Sequence, residues 1–167
     1  MSELILLRHG KSDWGAGTGD AERPLNRRGE ESARAMGRMI TLVGRVPDLV
    51  LSSPARRARS TAGLAAEAGS WQSPIVEDER LCPGSARQVI EVVREQAGEI
   101  HRVLVVGHEP TLSQTAALLL GGASLRMVTG AAACLEVDGW EMLGPEAGTL
   151  LWMLTPRLFT HGRFPLP

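Results

Sequence analysis

The sequence has few cysteines, no long apolar run and no excess of charge of either sign. Its two cysteines, Cys82 and Cys134, are far apart and form no C-x-x-C pair, which argues against a disulfide framework or a zinc site. Eighteen basic and nineteen acidic residues give a net charge of −1, so the overall field does not favour nucleic acid or an anionic membrane as a partner. Any site for an anion must therefore be built locally.

The apolar segments are too short to span a membrane. The longest, residues 116–123, is interrupted by Gly121 and Gly122 and falls well short of the roughly 20 residues that a bilayer requires. The first ten residues contain only a short apolar run between Glu3 and Arg8, unlike a signal peptide. We therefore expect a cytoplasmic protein with no membrane partner.

Short apolar runs alternate with helical periodicity along the chain. Of the 167 residues, 43% are hydrophobic, which is enough for one well-buried core, so we expect a single domain over residues 1–167. The continuous apolar runs at 4–7, 49–51 and 103–106 predict strands that are buried on both faces of a parallel sheet.

Helical periodicity separates these runs. An amphipathic helix is predicted from Asn26, its N-cap, to Val43, and others are predicted after Ser53-Pro54, Ser85 and Glu109-Pro110. Two further strands, 133–137 and 150–154, are expected to be antiparallel at an edge of the sheet. The order of elements predicts an α/β fold, a three-layer sandwich with a mostly parallel central sheet.

Histidines and arginines directly follow the three predicted parallel strands. The first strand is followed by Arg8-His9-Gly10, the second by Ser52-Ser53-Pro54 with Arg56, Arg57 and Arg59, and the third by Gly107-His108-Glu109. Ligands of open α/β sheets bind outside the carboxyl ends of the strands, so we expect these side chains to meet on one rim.

Such residues suit the transfer of a phosphoryl group. Guanidinium groups such as that of Arg57, near the start of a helix, can bind the phosphoryl oxygens. The imidazole of His9 is a competent nucleophile when neutral, and the adjacent cation of Arg8 should lower its pKa. Gly10 lets the backbone turn close to the phosphate. His108 is expected to bind a further oxygen and stabilise charge in the transition state.

Four sequence blocks resemble the signature of the histidine phosphatase superfamily, in its order and at its usual spacing. They are LLRHG at 6–10, PLNRRG at 24–29, SSPARRARSTA at 52–62 and VVGHEP at 105–110. The short length and the run RHGKSDW at 8–14 are most similar to the small SixA-like branch, whose characterised members are described as phosphohistidine phosphatases. The resemblance implies a phosphoglycerate mutase-like fold.

The resemblance also implies residue roles. His9 would be the phosphoacceptor, and Arg8, Arg57 and His108 would form the phosphate pocket. Arg57 is preferred to Arg56 because the family pattern Arg-Ala-x-x-Thr falls on residues 57–61. Gly10 and Ser12 are also expected to contact the substrate.

Three side chains have open interpretations. Larger members of the superfamily use a glutamate as general acid, and Glu79 is the candidate here, although the run 77–79 also suits an ordinary solvated turn. Trp14 could form an aromatic wall of the pocket or cap the core, and the sequence favours the cap. Arg23 could line the site, but its default interpretation is an exposed surface arginine.

Rival phosphate chemistries fit the sequence poorly. The run Gly10-Lys11-Ser12 lacks the earlier glycine of a P-loop, because Ile5 occupies that position. Cys82 and Arg87 are one residue too close for a cysteine-phosphatase loop. The two site histidines have no grouped metal-ligating companions beyond Glu109, so we expect no metal ion and no cofactor.

The leading hypothesis is a phosphohistidine phosphatase acting on a phosphorylated protein. The alternatives are a phosphomonoesterase for a small phosphorylated metabolite, such as a sugar or nucleotide phosphate, and a non-catalytic module that recognises phosphate. No long insertion is present to hold a second phosphorylated product, which argues against a mutase. The sequence does not indicate the oligomeric state.

Overall fold

A computed structural model describes residues 1–160 and contains a six-stranded sheet between two layers of helices. In chain order the elements are β1 (Ser2–Arg8), α1 (Arg27–Leu42), β2 (Leu49–Ser52), α2 (Arg56–Gly69), β3 (Ile75–Glu77), α3 (Ala86–Ala97), β4 (Arg102–Gly107), α4 (Thr111–Leu119), β5 (Ala132–Val137), β6 (Gly148–Leu154) and α5 (Arg157–Thr160). The predicted α/β three-layer sandwich is confirmed. Residues 161–167 of the expected domain lie outside the described residues.

The strands lie in the order β3-β2-β4-β1-β5-β6. The first four are mutually parallel, and β5 pairs in the antiparallel sense with both β1 and β6. The antiparallel pair that was expected at an edge is therefore confirmed. Strand β3 was not predicted, because it has only three residues and both Ile75 and Glu77 are exposed, so it shows no buried apolar run.

Both faces of β1 are covered, which explains its uninterrupted apolar sequence. Leu4 and Leu6 pack into the cluster on the α3 and α4 side, whereas Ile5 and Leu7 pack into the cluster on the α1 and α2 side. All four side chains are fully buried. Alternation of burial cannot appear in such a strand, since every position is an inside position.

Side-chain caps fix the starts of two helices where the sequence predicts them. The side-chain oxygen of Asn26 accepts a hydrogen bond from the backbone N–H of Gly29 at 2.9 Å. The hydroxyl of Ser85 accepts from the N–H of Gln88 at 3.3 Å. Each bond satisfies one N–H that the first turn of a helix would otherwise leave unpaired.

Helices α1 and α2 pack closely because Gly37 has no side chain. A Cβ atom built at Gly37 would lie 2.1 Å from the carbonyl oxygen of Ala65 on α2. We expect Gly37→Ala to lower the free energy of unfolding by about 1–3 kcal/mol, because the helices must separate to admit the methyl group. Urea denaturation measures this change.

The matched control is Gly63→Ala on α2. Gly63 is exposed and a Cβ atom there meets nothing within 4 Å, so alanine should stabilise the helix by about 0.5–1 kcal/mol. Equal stability of the two variants would show that the close packing at Gly37 is not required.

Within residues 1–160, no helix has both the length and the apolar character needed to cross a bilayer.

Candidate active site

A cavity of about 230 Å³ lies where β1 and β4 end. We call it the histidine cavity, and it is lined by Arg8, His9, Lys11, Ser12, Trp14, Arg23, Arg57, His108, Glu109 and Thr129. Strand β1 ends at Arg8 and β4 ends at Gly107, so His9 and His108 follow neighbouring parallel strands. The sheet therefore places two imidazoles side by side from positions far apart in the chain.

The structure brings together the four residues that were predicted to surround a phosphoryl group. The ring centroids of His9 and His108 are 5.1 Å apart, and Arg8 and Arg57 line the same cavity. Ser12, the other predicted contact on this wall, is buried and lines it as well.

Gly10 has a different position from the one expected. Its N–H donates to the hydroxyl of Thr61 at 3.0 Å, and it is not among the residues that line the cavity. A Cβ atom at Gly10 would lie 2.5 Å from the carbonyl oxygen of Gly29, in the first turn of α1. The missing side chain thus allows the turn at residues 8–10 to pack against α1.

The structure does not place Glu79 in the site. This residue begins a short 3₁₀ helix, is exposed, and is absent from the lining of the histidine cavity. The carboxylate that does line the cavity is that of Glu109, which is half-buried and directly follows His108. Its Oε1 accepts the N–H of Ser113 at 2.9 Å, which fixes the carboxylate on the first turn of α4.

The hydrogen bond of His9 defines its tautomer. Nδ1 lies 2.7 Å from the carbonyl oxygen of Gly10. A carbonyl only accepts, so Nδ1 carries the proton and donates it. In the neutral ring the lone pair is then on Nε2, which has the character of a nucleophile.

His108 has its proton on the opposite nitrogen. Its Nδ1 lies 3.4 Å from an N–H group of Arg57, which can only donate, so Nδ1 accepts. The neutral ring then holds its proton on Nε2, which donates to the hydroxyl of Ser53 at 2.7 Å. Ser53, the second serine of the SSP run, was not predicted as a site residue, although that run was one of the motif blocks.

Burial keeps both imidazoles uncharged. Burial is the largest cause that lowers the pKa of His9 to about 3, and the neighbouring His108, Arg57 and Arg8 act in the same direction, while the hydrogen bond to Gly10 opposes them. Burial and the Arg57 guanidinium lower the pKa of His108 to about 4. The sequence predicted a lowered pKa for His9 from adjacent cations, and the structure adds burial as the larger cause.

Arg8, which is half-buried, and Arg57, which is buried, are held mainly by carbonyl oxygens. Arg57 donates to the backbone oxygen of Asp20 at 2.7 Å and to its carboxylate at 3.3 Å, and Arg8 donates to the backbone oxygen of Met127 at 2.9 Å. The Nε atoms of Arg8 and Arg57 are buried and have no hydrogen-bond partner among residues 1–160. Arg56, in contrast, is exposed.

A loop between β1 and α1 forms the outer wall of the cavity. Arg23 donates from Nε to the hydroxyl of Ser12 at 3.0 Å and bonds the carboxylate of Asp20 at 2.8 Å. Its guanidinium lies 3.7 Å from the centre of the Trp14 ring, a cation–π contact. Arg23 is therefore buried, contrary to its default interpretation, and Trp14 is 76% exposed, so it does not cap the core.

Comparisons with known proteins agree with this geometry. A family model described as the histidine phosphatase superfamily (branch 1) matches residues 4–82. An uncharacterized protein of Mycobacterium tuberculosis is 33% identical over 162 residues, which cover 90% of this chain and all of that protein. The structure of SixA from Nakamurella multipartitia has a TM-score of 0.82 and 25% identity, and the match covers 93% of this chain and 96% of that one.

The chain belongs to the histidine phosphatase superfamily. A structure of the protein histidine phosphatase SixA complexed with tungstate also matches at a TM-score of 0.82 and 25% identity, covering 93% of this chain and 98% of that one. The superfamily match and these neighbours confirm the phosphoglycerate mutase-like fold and support phosphatase activity. Among residues 1–160 of this histidine phosphatase, no group of three histidine, cysteine or acidic side chains is placed to hold a metal ion.

The lowered pKa values predict how this histidine phosphatase responds to acid. Because His9 has a pKa of about 3 and His108 about 4, both rings should stay neutral as the pH falls from 7 to about 5, where an ordinary imidazole is protonated. NMR titration of the imidazole Cε1 protons should show two rings without a transition in this range. A midpoint near 6.5 for both rings would contradict the prediction.

The same values predict a loss of stability in acid. The unfolded chain binds protons at its histidines below about pH 6.5, whereas folded His9 and His108 do not. The free energy of unfolding should therefore fall by up to about 1.4 kcal/mol per pH unit for each ring between about pH 6.5 and 4.

Proposed function

We propose that this protein is a phosphohistidine phosphatase that transfers the phosphoryl group to Nε2 of His9 and then to water. The observation that carries the proposal is the state of His9. Its ring is neutral, its Nδ1 proton is bonded to Gly10, and its Nε2 lone pair is in a cavity lined by four cationic side chains. A nucleophile in this state needs no separate base to activate it.

Arg8 and Arg57 are suited to bind the transferred group. A phosphoryl dianion is a strong acceptor, and the side chains of both arginines line the histidine cavity. Lys11 and Arg23 add positive charge to the same wall. Four cations against the carboxylates of Glu109 and Asp20 leave a local excess of positive charge, although the net charge of the chain is −1.

His108 is suited to stabilise the charge that develops during transfer. A phosphoryl group bound beside it would raise its pKa from about 4, and the added proton would go to Nδ1, the nitrogen that now accepts from Arg57. Protonated His108 can then donate from Nδ1 to a phosphoryl oxygen while Nε2 stays bonded to Ser53. Ser53 would thus position the ring.

The proposed reaction has two steps. In the first, the lone pair of His9 Nε2 attacks phosphorus, the bond from phosphorus to the substrate imidazole breaks, and the leaving nitrogen takes a proton from solvent. In the second, water attacks the phosphoryl group of His9 and gives up a proton to solvent, and the P–N bond breaks to release phosphate and neutral His9.

Glu109 is better placed than Glu79 to handle the leaving-group proton, because it lines the histidine cavity. An imidazole can be protonated before its P–N bond breaks, so phosphohistidine should need this carboxylate less than an ester does. We expect Glu109→Gln to lower kcat for an alkyl phosphate by about 10²-fold or more, and for phosphohistidine by much less. Equal losses of kcat on both substrates would show that Glu109 does not protonate the leaving group.

The proposal is tested with a substrate panel. Phosphohistidine in a protein, a sugar phosphate and an aryl phosphate are compared by kcat/KM under identical conditions. The expected result is the highest kcat/KM for phosphohistidine. A clearly higher value for the sugar phosphate would overturn the proposed substrate and favour a small-molecule phosphomonoesterase.

A further inference from the structure

A second cavity of about 300 Å³ adjoins the histidine cavity. The two cavities share Lys11 and Thr129 in their walls, so they are neighbours on the protein surface. Arg28 from α1 and Arg157 from α5 line the second cavity, together with the hydroxyl-bearing Ser32. The histidine cavity is not lined by Arg28, Ser32 or Arg157.

The charges of the second cavity are not balanced locally. Among the described residues its wall contains three cationic side chains, those of Lys11, Arg28 and Arg157, and no carboxylate. All three are exposed, and no hydrogen bond or ion pair within residues 1–160 involves their charged groups. The acidic side chain of Glu31 nearby is bonded to Arg27 instead.

Three cations that lack partners repel one another unless an anion lies between them. A carboxylate or phosphate would relieve this repulsion and would accept bidentate hydrogen bonds from a guanidinium group. Other exposed arginines such as Arg38 and Arg56 also have no partner within residues 1–160, but they line neither cavity, so the distinguishing feature is the grouping of three cations around one cavity. The charge of the second cavity therefore indicates a ligand rather than a structural ion pair.

We propose that the second cavity binds a second anionic group of the substrate while the histidine cavity holds the phosphoryl group. This second group is a carboxylate or a phosphate on the same substrate molecule. In a phosphorylated protein, this group would be an acidic side chain close to the phosphohistidine. The inference rests on the proposed function, which places the phosphoryl group in the histidine cavity. It adds a second anionic group as the feature by which substrates would be selected.

The test uses binding, so it does not depend on turnover. Calorimetry compares an aryl phosphonate with the same phosphonate carrying a carboxylate on linkers of two lengths. The wild-type protein should bind one of the carboxylated ligands about tenfold more tightly, which is typical of one added charge-assisted contact, and added salt should reduce this preference. In the double variant Arg28→Gln/Arg157→Gln the preference should fall to about twofold or less.

The matched control is Arg38→Gln. Arg38 is also exposed on α1 and lines neither cavity, so this variant should keep the tenfold preference. Equal binding of all ligands by the wild-type protein would overturn the inference. So would a preference that survives in the double variant or is lost equally in the control.

A peptide pair distinguishes the two sources of the anion. Phosphohistidine peptides that differ only by glutamate or glutamine beside the phosphohistidine are compared by kcat/KM in the same proteins. A preference for glutamate that depends on Arg28 and Arg157 supports a protein substrate, and a preference limited to the small phosphonates supports a metabolite. If the protein does not hydrolyse phosphohistidine but still prefers the carboxylated phosphonate, the proposed function is wrong and the second anion site is retained.

Discussion

His9→Asn is expected to abolish turnover, with kcat at least about 10⁴-fold lower than in the wild-type protein. Asparagine preserves a polar side chain of similar reach but has no imidazole lone pair to attack phosphorus. Since the proposed reaction runs through a covalent intermediate on Nε2, no other group in the histidine cavity can substitute. Release of inorganic phosphate from phosphohistidine protein measures the loss.

The control for His9→Asn is His101→Asn. His101 is exposed and does not line the histidine cavity, so its replacement should leave kcat within about twofold, as is usual for a surface substitution. Both variants are first checked by circular dichroism for an intact fold. A folded His9→Asn variant with the wild-type rate would end the proposed mechanism.

Arg57→Lys is expected to lower kcat/KM by about 10²-fold or more. Lysine keeps the charge but has one ammonium group in place of the planar fork. In the wild-type protein that fork reaches the backbone oxygen of Asp20, its carboxylate and Nδ1 of His108. The variant should therefore lose both a phosphoryl ligand and the alignment of His108. Steady-state kinetics at several substrate concentrations separates these effects on KM and kcat.

Arg56→Lys is the control, since Arg56 is the neighbouring residue on α2 and is exposed. We expect a change of about twofold or less for this variant. A larger loss for Arg56→Lys than for Arg57→Lys would show that the wrong arginine of the pair has been assigned.

The sequence predicted the parts of the site that are fixed by the ends of strands. Leu4–Leu7 and Val103–Val106 are recognisable as buried strands, and parallel strands end on the same edge of a sheet. The proximity of His9 and His108 follows from these two facts without knowledge of any side-chain contact. The choice of Arg57 over Arg56 came from the family pattern, and it agrees with the burial of Arg57.

The parts that depend on loops could not be predicted in this way. The loop between β1 and α1 has no periodicity, so nothing in the sequence showed that Asp20 bonds Arg57 or that Arg23 stacks on Trp14. Gly10 was expected beside the phosphate because glycine lets the backbone turn closely, whereas its packing against α1 is a tertiary contact that the sequence pattern does not show. Glu79 was the candidate because larger members of the superfamily place a glutamate in that region, and only the fold shows that Glu109 lines the cavity.

In the proposed mechanism, His9 carries the phosphoryl group during the reaction. Its most direct test is to mix the protein with radiolabelled phosphohistidine substrate, quench in alkali within one turnover and map the labelled peptide by mass spectrometry. The predicted result is an acid-labile, alkali-stable phosphate on the peptide that contains His9, absent in His9→Asn. Full turnover with no label on the protein, or with label on His108 alone, would contradict the account.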